Sequence, residues 1–124
     1  MGFNDELRNR TKAFSLRIIK LYQALPKTEV ARIIGKQLLR SGTSVGANLR
    51  TATRSRSTAE FISKLSIVVE EADECAFWME LLIESGIISP KKLGSLLNES
   101  IEITKIISVS RKSIKKKSRN NISI

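Results

Sequence analysis

Between Phe61 and Leu82 the apolar residues return at steps of four and three without a miss. They are Phe61, Leu65, Val68, Ala72, Cys75, Met79 and Leu82. A strand repeats every two residues, so this rhythm belongs to a helix with one buried stripe. Ile62, Val69, Ala76 and Ile83 follow the stripe at sevens. They widen the face beyond what a lone helix tolerates in water and point to a helix bundle. Ser57-Thr58-Ala59-Glu60 supplies a capping box before it, and Ser85-Gly86 a stop after it.

Three more helices fit the remaining chain. The first is expected from about Asn4 to Leu25, on the stripe Phe3, Leu7, Phe14, Ile18, Leu21 and Leu25. Asn4 or Asp5 is expected to cap it, and Pro26 ends it. The second is expected from about Thr28 to Ser55, with Val30, Ile34, Leu38, Val45, Leu49 and Ala52 inward. Its centre, Ser41 to Asn48, holds Gly42 and Gly46, and each glycine costs ~1 kcal/mol against alanine inside a helix. A loop turning at Ser41-Gly42 is the alternative. The apolar stripe continues in phase on both sides, which favours one helix with a thin waist. Glycines four apart share a face that admits a neighbouring backbone. The fourth helix opens at Ser89-Pro90 and turns Leu93, Leu96, Leu97, Ile103, Ile107 and Ile114 inward. The reading is all-α: an antiparallel up-down-up-down bundle over residues 1–114, then a basic tail over 115–124 expected to fray.

Charge is unevenly placed. Of 124 residues, 22 are Lys or Arg and 12 are Asp or Glu, a net +10. Residues 1–56 carry 12 cations against 3 anions, residues 57–104 carry 3 against 9, and residues 105–124 carry 7 against none. Pairing between helices cannot absorb the surplus, so an anionic partner such as nucleic acid is expected. Catalytic alternatives fail on chemistry. Histidine is absent, which removes the commonest general base and metal ligand. Cys75 lies on the apolar stripe with no base beside it. Glu70, Glu71, Asp73, Glu74, Glu80 and Glu84 lie off the stripe and lack the histidines of a di-metal bundle. Gly42 and Gly46 lack the lysine and strand of a phosphate loop. No enzyme activity, cofactor or metal is expected. The longest uncharged run, Ser41 to Leu49, is too short to span a bilayer, and the chain start carries no secretory pattern. The expected compartment is the cytoplasm.

The cations fall in two groups. Arg32, Lys36, Arg50 and Arg54 share one sector of the second helix, with Arg40 at its edge. This ridge either pairs with the third helix's acids or tracks phosphates. Arg111, Lys112, Lys115, Lys116 and Lys117, with Arg119, form the second group. Aromatic residues are 5% of the chain, too few for a base-stacking platform, so backbone and shape recognition is expected. Arg40, Ser41, Ser44 and Asn48 are expected to be half-buried, with Asn48 in a polar network joining the second helix to the third. On the third helix Ile67, Trp78 and Leu81 lie opposite the inward stripe, with Glu74 beside them. A lone chain would leave Trp78 in water, so this face is read as a homo-oligomer interface.

The run Gln37-Leu38-Leu39-Arg40-Ser41-Gly42-Thr43-Ser44-Val45-Gly46-Ala47-Asn48 carries a resemblance. Ser57-x-x-Glu60-Phe61-x-x-Lys64-Leu65 and Ala76-Phe77-Trp78-x-x-Leu81-Leu82 extend it. Together they resemble the bacterial four-helix-bundle family first met in intervening sequences of large-subunit ribosomal RNA genes. That resemblance implies an antiparallel four-helix bundle assembling as a ring, a pentamer. It also implies distant kinship with the accessory variability protein of diversity-generating retroelements, which binds a reverse transcriptase and nucleic acid. By that analogy the basic surface binds RNA. Members often carry glutamate three residues after the motif asparagine, where this chain has Thr51. Arg40 must therefore look to Glu71, Glu74 or solvent.

The resulting expectation is a small basic homo-oligomer that captures RNA electrostatically. The alternative is a non-catalytic scaffold that docks an enzyme such as a reverse transcriptase.

Overall fold

The computed structural model describes residues 2–122, which form four helices and no strand. They are α1 (Phe3–Ala24), α2 (Glu29–Ala52), α3 (Thr58–Glu84) and α4 (Pro90–Ile122). Caps set their starts. The Thr28 hydroxyl accepts from the Ala31 N–H and the Ser57 hydroxyl from the Glu60 N–H. At α1 the cap position is Gly2, two or three residues earlier than expected, and the Asp5 carboxylate accepts from the Gly2 N–H at 3.4 Å. Gly86, at φ +78°, closes α3 in the left-handed region.

Each helix packs on its neighbours in sequence, and α1 meets α4 most lightly to close the ring. Neighbours run antiparallel. Tyr22 and Ile18 of α1 face Gly35 and Gly42 of α2, while Ser15 faces Gly46. Arg10 meets Glu99, and Arg17 meets Ser95. One end of the bundle therefore gathers the start of α1, the end of α2, the start of α3 and the far part of α4. A single cavity there is lined by Asn4, Leu49, Thr53, Phe61 and Ile114.

The core follows the sequence stripes closely. Leu7, Phe14, Ile18, Leu38, Val45, Leu49, Leu65, Val68, Met79, Leu82, Leu93, Ile103 and Ile107 are all buried. Val30 departs from expectation, being 57% exposed. Ala31 and Gly35 take the inward register at that level, because Tyr22 and Leu25 come too close for a larger side chain. The waist of α2 is continuous helix, and its glycines face α1. The Ser15 hydroxyl bridges them, donating to the Gly42 carbonyl at 2.7 Å and accepting from the Gly46 N–H at 3.3 Å.

The basic stretch expected to fray continues α4 as helix through Ile122; residues 123 and 124 lie outside the described residues. Polarity denies this stretch a core, but does not deny it helix. Lysine and arginine are good helix formers, no Gly or Pro intervenes, and extending an existing helix needs no new nucleus. Cations in the last turns also meet the negative end of the helix dipole.

Candidate nucleic-acid interface

The ridge on α2 divides when α1 and α3 pack against its two flanks. Arg40 turns toward α3, with Nη1 3.6 Å from Glu71 Oε2 and Nη2 3.4 Å from Glu74 Oε2. Arg32, Lys36, Arg50 and Arg54 are exposed and form no ion pair among the described residues. Of the two readings left open for the ridge, pairing with α3 therefore describes Arg40 alone.

Arg50 and Arg54 line a groove of about 330 Å³ between α1 and α2. Across from them α1 contributes Arg8, Asn9 and Lys12. The floor is Ser15, Thr43, Gly46 and Ala47. The small floor residues explain the groove: α1 lies so close to Gly46 that the cations of both helices stand up as walls. The Ser15 and Thr43 hydroxyls are occupied by helix carbonyls, Thr43 donating to Leu39 at 2.8 Å. Arg8 is paired with Asp5 of its own first turns. Lys12, Arg50 and Arg54 keep their charges uncompensated by any carboxylate among the described residues. No aromatic ring lines the groove. It offers point charges and guanidinium forks, the equipment for phosphate oxygens rather than for base faces.

The periodicity of α2 alone does not bring Arg8 and Lys12 to the site. The signal was present: Arg8, Lys12 and Ser15 lie on one face of α1, and the Gly42–Gly46 face had to receive some neighbour. Arg32 sits near the opposite end of the molecule, in a separate cavity with Tyr22, Gln23 and Pro26, and Lys36 lies between. On α4, Arg111 Nη1 donates to Ser66 Oγ at 3.4 Å, whereas Lys112, Lys115, Lys116 and Lys117 are exposed.

Of the polar residues of the α2 waist, Ser44 and Asn48 are half-buried as expected, whereas Arg40 is exposed and Ser41 is buried. Ser41 is fully buried and accepts from the Cys75 thiol at 3.4 Å, which is the link to α3. Burial pushes that thiol up to about 12, so Cys75 is an inert packing group. Asn48 instead bonds within α2, to the Ser44 carbonyl and hydroxyl at 2.9 and 2.8 Å. Its side chain reaches back one turn, a shorter path than crossing to α3. Burial, then the neighbouring Glu74, raises the Glu71 carboxyl above its ordinary value.

On α3, Ile67, Glu74, Trp78 and Leu81 are half-buried. Trp78 does not stand in water: it packs against the chain's own core, with Nε1 enclosed and unpartnered. Its position near the α2 side of the helix, rather than opposite the stripe, is the reason. The neighbouring ring, Phe77, is the exposed one at 51%. Among the described residues no cluster of His, Cys, Asp or Glu is arranged to hold a metal, and no helix is long and apolar enough to cross a membrane.

The comparisons agree with this architecture. No curated protein matches the chain. A crystal structure from Bacteroides thetaiotaomicron, a protein of unknown function from the S23 ribosomal protein family, is 38% identical. It superposes with a TM-score of 0.82, and the match covers 88% of this chain and 97% of that one. The model of the 23S rRNA-intervening sequence protein family matches residues 4–109. With its four helices and the motif around Arg40 to Asn48 inside that span, the chain belongs to the 23S rRNA-intervening sequence protein family.

Proposed function

We propose that the protein binds RNA through its phosphate backbone, with little regard for sequence. The observation that carries this reading is the α1/α2 groove, where Lys12, Arg50 and Arg54 lack carboxylate partners and no ring is present for stacking. Backbone capture of this kind releases counterions, so affinity falls steeply as salt rises. Anisotropy titration of a labelled structured RNA at several salt concentrations tests it. Arg50→Glu with Arg54→Glu is expected to weaken binding by at least tenfold at low salt, leaving helix content and mass unchanged. Binding that ignores salt, or survives this double reversal, overturns the reading.

The same proposal includes self-association through the outer part of α3, where Ile67 and Leu81 remain partly open beside exposed Phe77. A ring of identical chains presents several grooves to one polyanion and multiplies weak contacts.

A further inference from the structure

Two cationic groups remote in sequence meet at one end of the bundle. Asn4 of α1, Thr53 of α2 and Ile114 of α4 line one cavity there. The groove cations Arg8 and Arg54 lie within about a turn of Asn4 and Thr53 along their chains. Ile114 is the last residue of α4 that packs on the core, yet the helix runs on to Ile122. That is eight residues, about 12 Å of helix beyond the point where α1 begins. Lys115, Lys116 and Lys117 open this extension, all exposed and without a carboxylate partner among the described residues. Of the acids at this end, Asp5 is held by Arg8 and Glu60 serves the start of α3, which leaves exposed Glu6 as the one open carboxylate of the α1 first turn against these cations. The acids from Glu70 to Glu84 lie further along α3, toward the other end.

We propose that the α4 extension and the α1/α2 groove form one interface that takes double-helical RNA. One phosphate strand lies along the groove and the other against Lys115–Lys117. This inference rests on the RNA reading above and extends it to the class of RNA. A duplex shows two rows of phosphates held at fixed spacing, and at this end of the bundle two rigid cationic elements, the α1/α2 groove and the extension of α4, stand ready to take one row each. A single strand offers one row, must be ordered to reach both elements, and gains its affinity elsewhere from stacking on rings that this groove lacks. Contacts to two backbones without base reading are how double-stranded RNA is recognised by shape.

The test uses the full chain and two labelled probes of equal length, a fully paired RNA hairpin stem and an unstructured strand. Affinity is measured by anisotropy across salt for the wild type, R50Q/R54Q and K115Q/K116Q/K117Q. The wild type is expected to prefer the stem. The triple variant is expected to reduce the slope of log affinity against log salt by on the order of one to two, since consecutive helical lysines fan around the axis, and the double variant by about two. K115R/K116R/K117R is expected to restore the wild-type slope, showing that charge and not helix integrity is at stake. A triple variant that binds the stem with unchanged affinity and slope overturns the proposal, as does preference of the wild type for the single strand. In either case R50Q/R54Q losing affinity leaves the groove reading standing. Salt-insensitive binding by the wild type overturns both.

Discussion

A glycine in a helix is usually a small defect, but its effect depends on what a methyl group would meet. At Gly42 an added Cβ would lie 2.6–2.9 Å from three atoms of Ile18, including its Cβ. At Gly46 it would meet Ser15 Oγ at 2.6 Å and the Thr11 carbonyl oxygen at 3.3 Å. Ile18 is fully buried and a carbonyl cannot step aside, so α1 itself must move. Gly94 is also helical, in the second turn of α4, yet nothing lies within 4 Å of its would-be Cβ. Overpacking costs about 1–3 kcal/mol, against a propensity gain of about 1 kcal/mol. Gly42→Ala and Gly46→Ala are therefore expected to lower the urea midpoint, and Gly94→Ala to raise it by the equivalent of about 0.5–1 kcal/mol. Equal shifts of one sign at all three positions would refute this account of the seam.

Among the helices, the α1–α4 contact is the lightest, and a bidentate pair holds it. Arg10 Nε and Nη2 each donate to a Glu99 carboxylate oxygen at 2.8 Å. The Arg10 bonds hold the Glu99 carboxyl below its ordinary range, and the arginine is raised in turn. A depressed carboxyl stabilises the fold above its unfolded pKa and loses that contribution as falling pH protonates it. Both groups are partly exposed, so the effect is of order 0.5–1 kcal/mol. Glu99→Gln is expected to lower the urea midpoint near neutral pH, with the gap to wild type closing as the pH falls below the ordinary carboxylate range and Glu99 takes up its proton. A gap that persists in acid would mean the substitution acts through packing. The elements themselves were legible because periodicity and caps agree over long windows, above all in α3. The end of α4 was not, because the sequence was judged there by whether it could pack. Val30 was misplaced because the stripe was projected from α2 alone, while the depth of that register is set by Tyr22 and Leu25 of α1. Similarly, the groove was half-read: its α2 wall is written in one helix, but its α1 wall exists only after the glycine seam has chosen a neighbour.

Across the whole molecule, the proposed self-association depends on which face of α3 remains open. The sequence places Trp78 in water unless a second chain covers it, but it already packs on its own core, so removing it would leave a cavity. Leu81 is the cleaner probe. Leu81→Asp is expected to reduce the mass seen by light scattering to that of one chain while helix content is kept; a single-chain mass for the unmutated protein would refute self-association. Charge is distributed on the same scale. Unpaired lysine and arginine gather at one end, where Arg54 follows the end of α2 and Lys115 begins the overhang, and half of the 12 carboxylates, from Glu70 to Glu84, sit further along α3. A body charged so unequally has a large permanent electric dipole. In the field of a polyanion several nanometres away it turns its cationic end forward before any surfaces touch. Fewer encounters are then wasted on the wrong orientation, and the advantage fades as dissolved ions shorten the reach of that field.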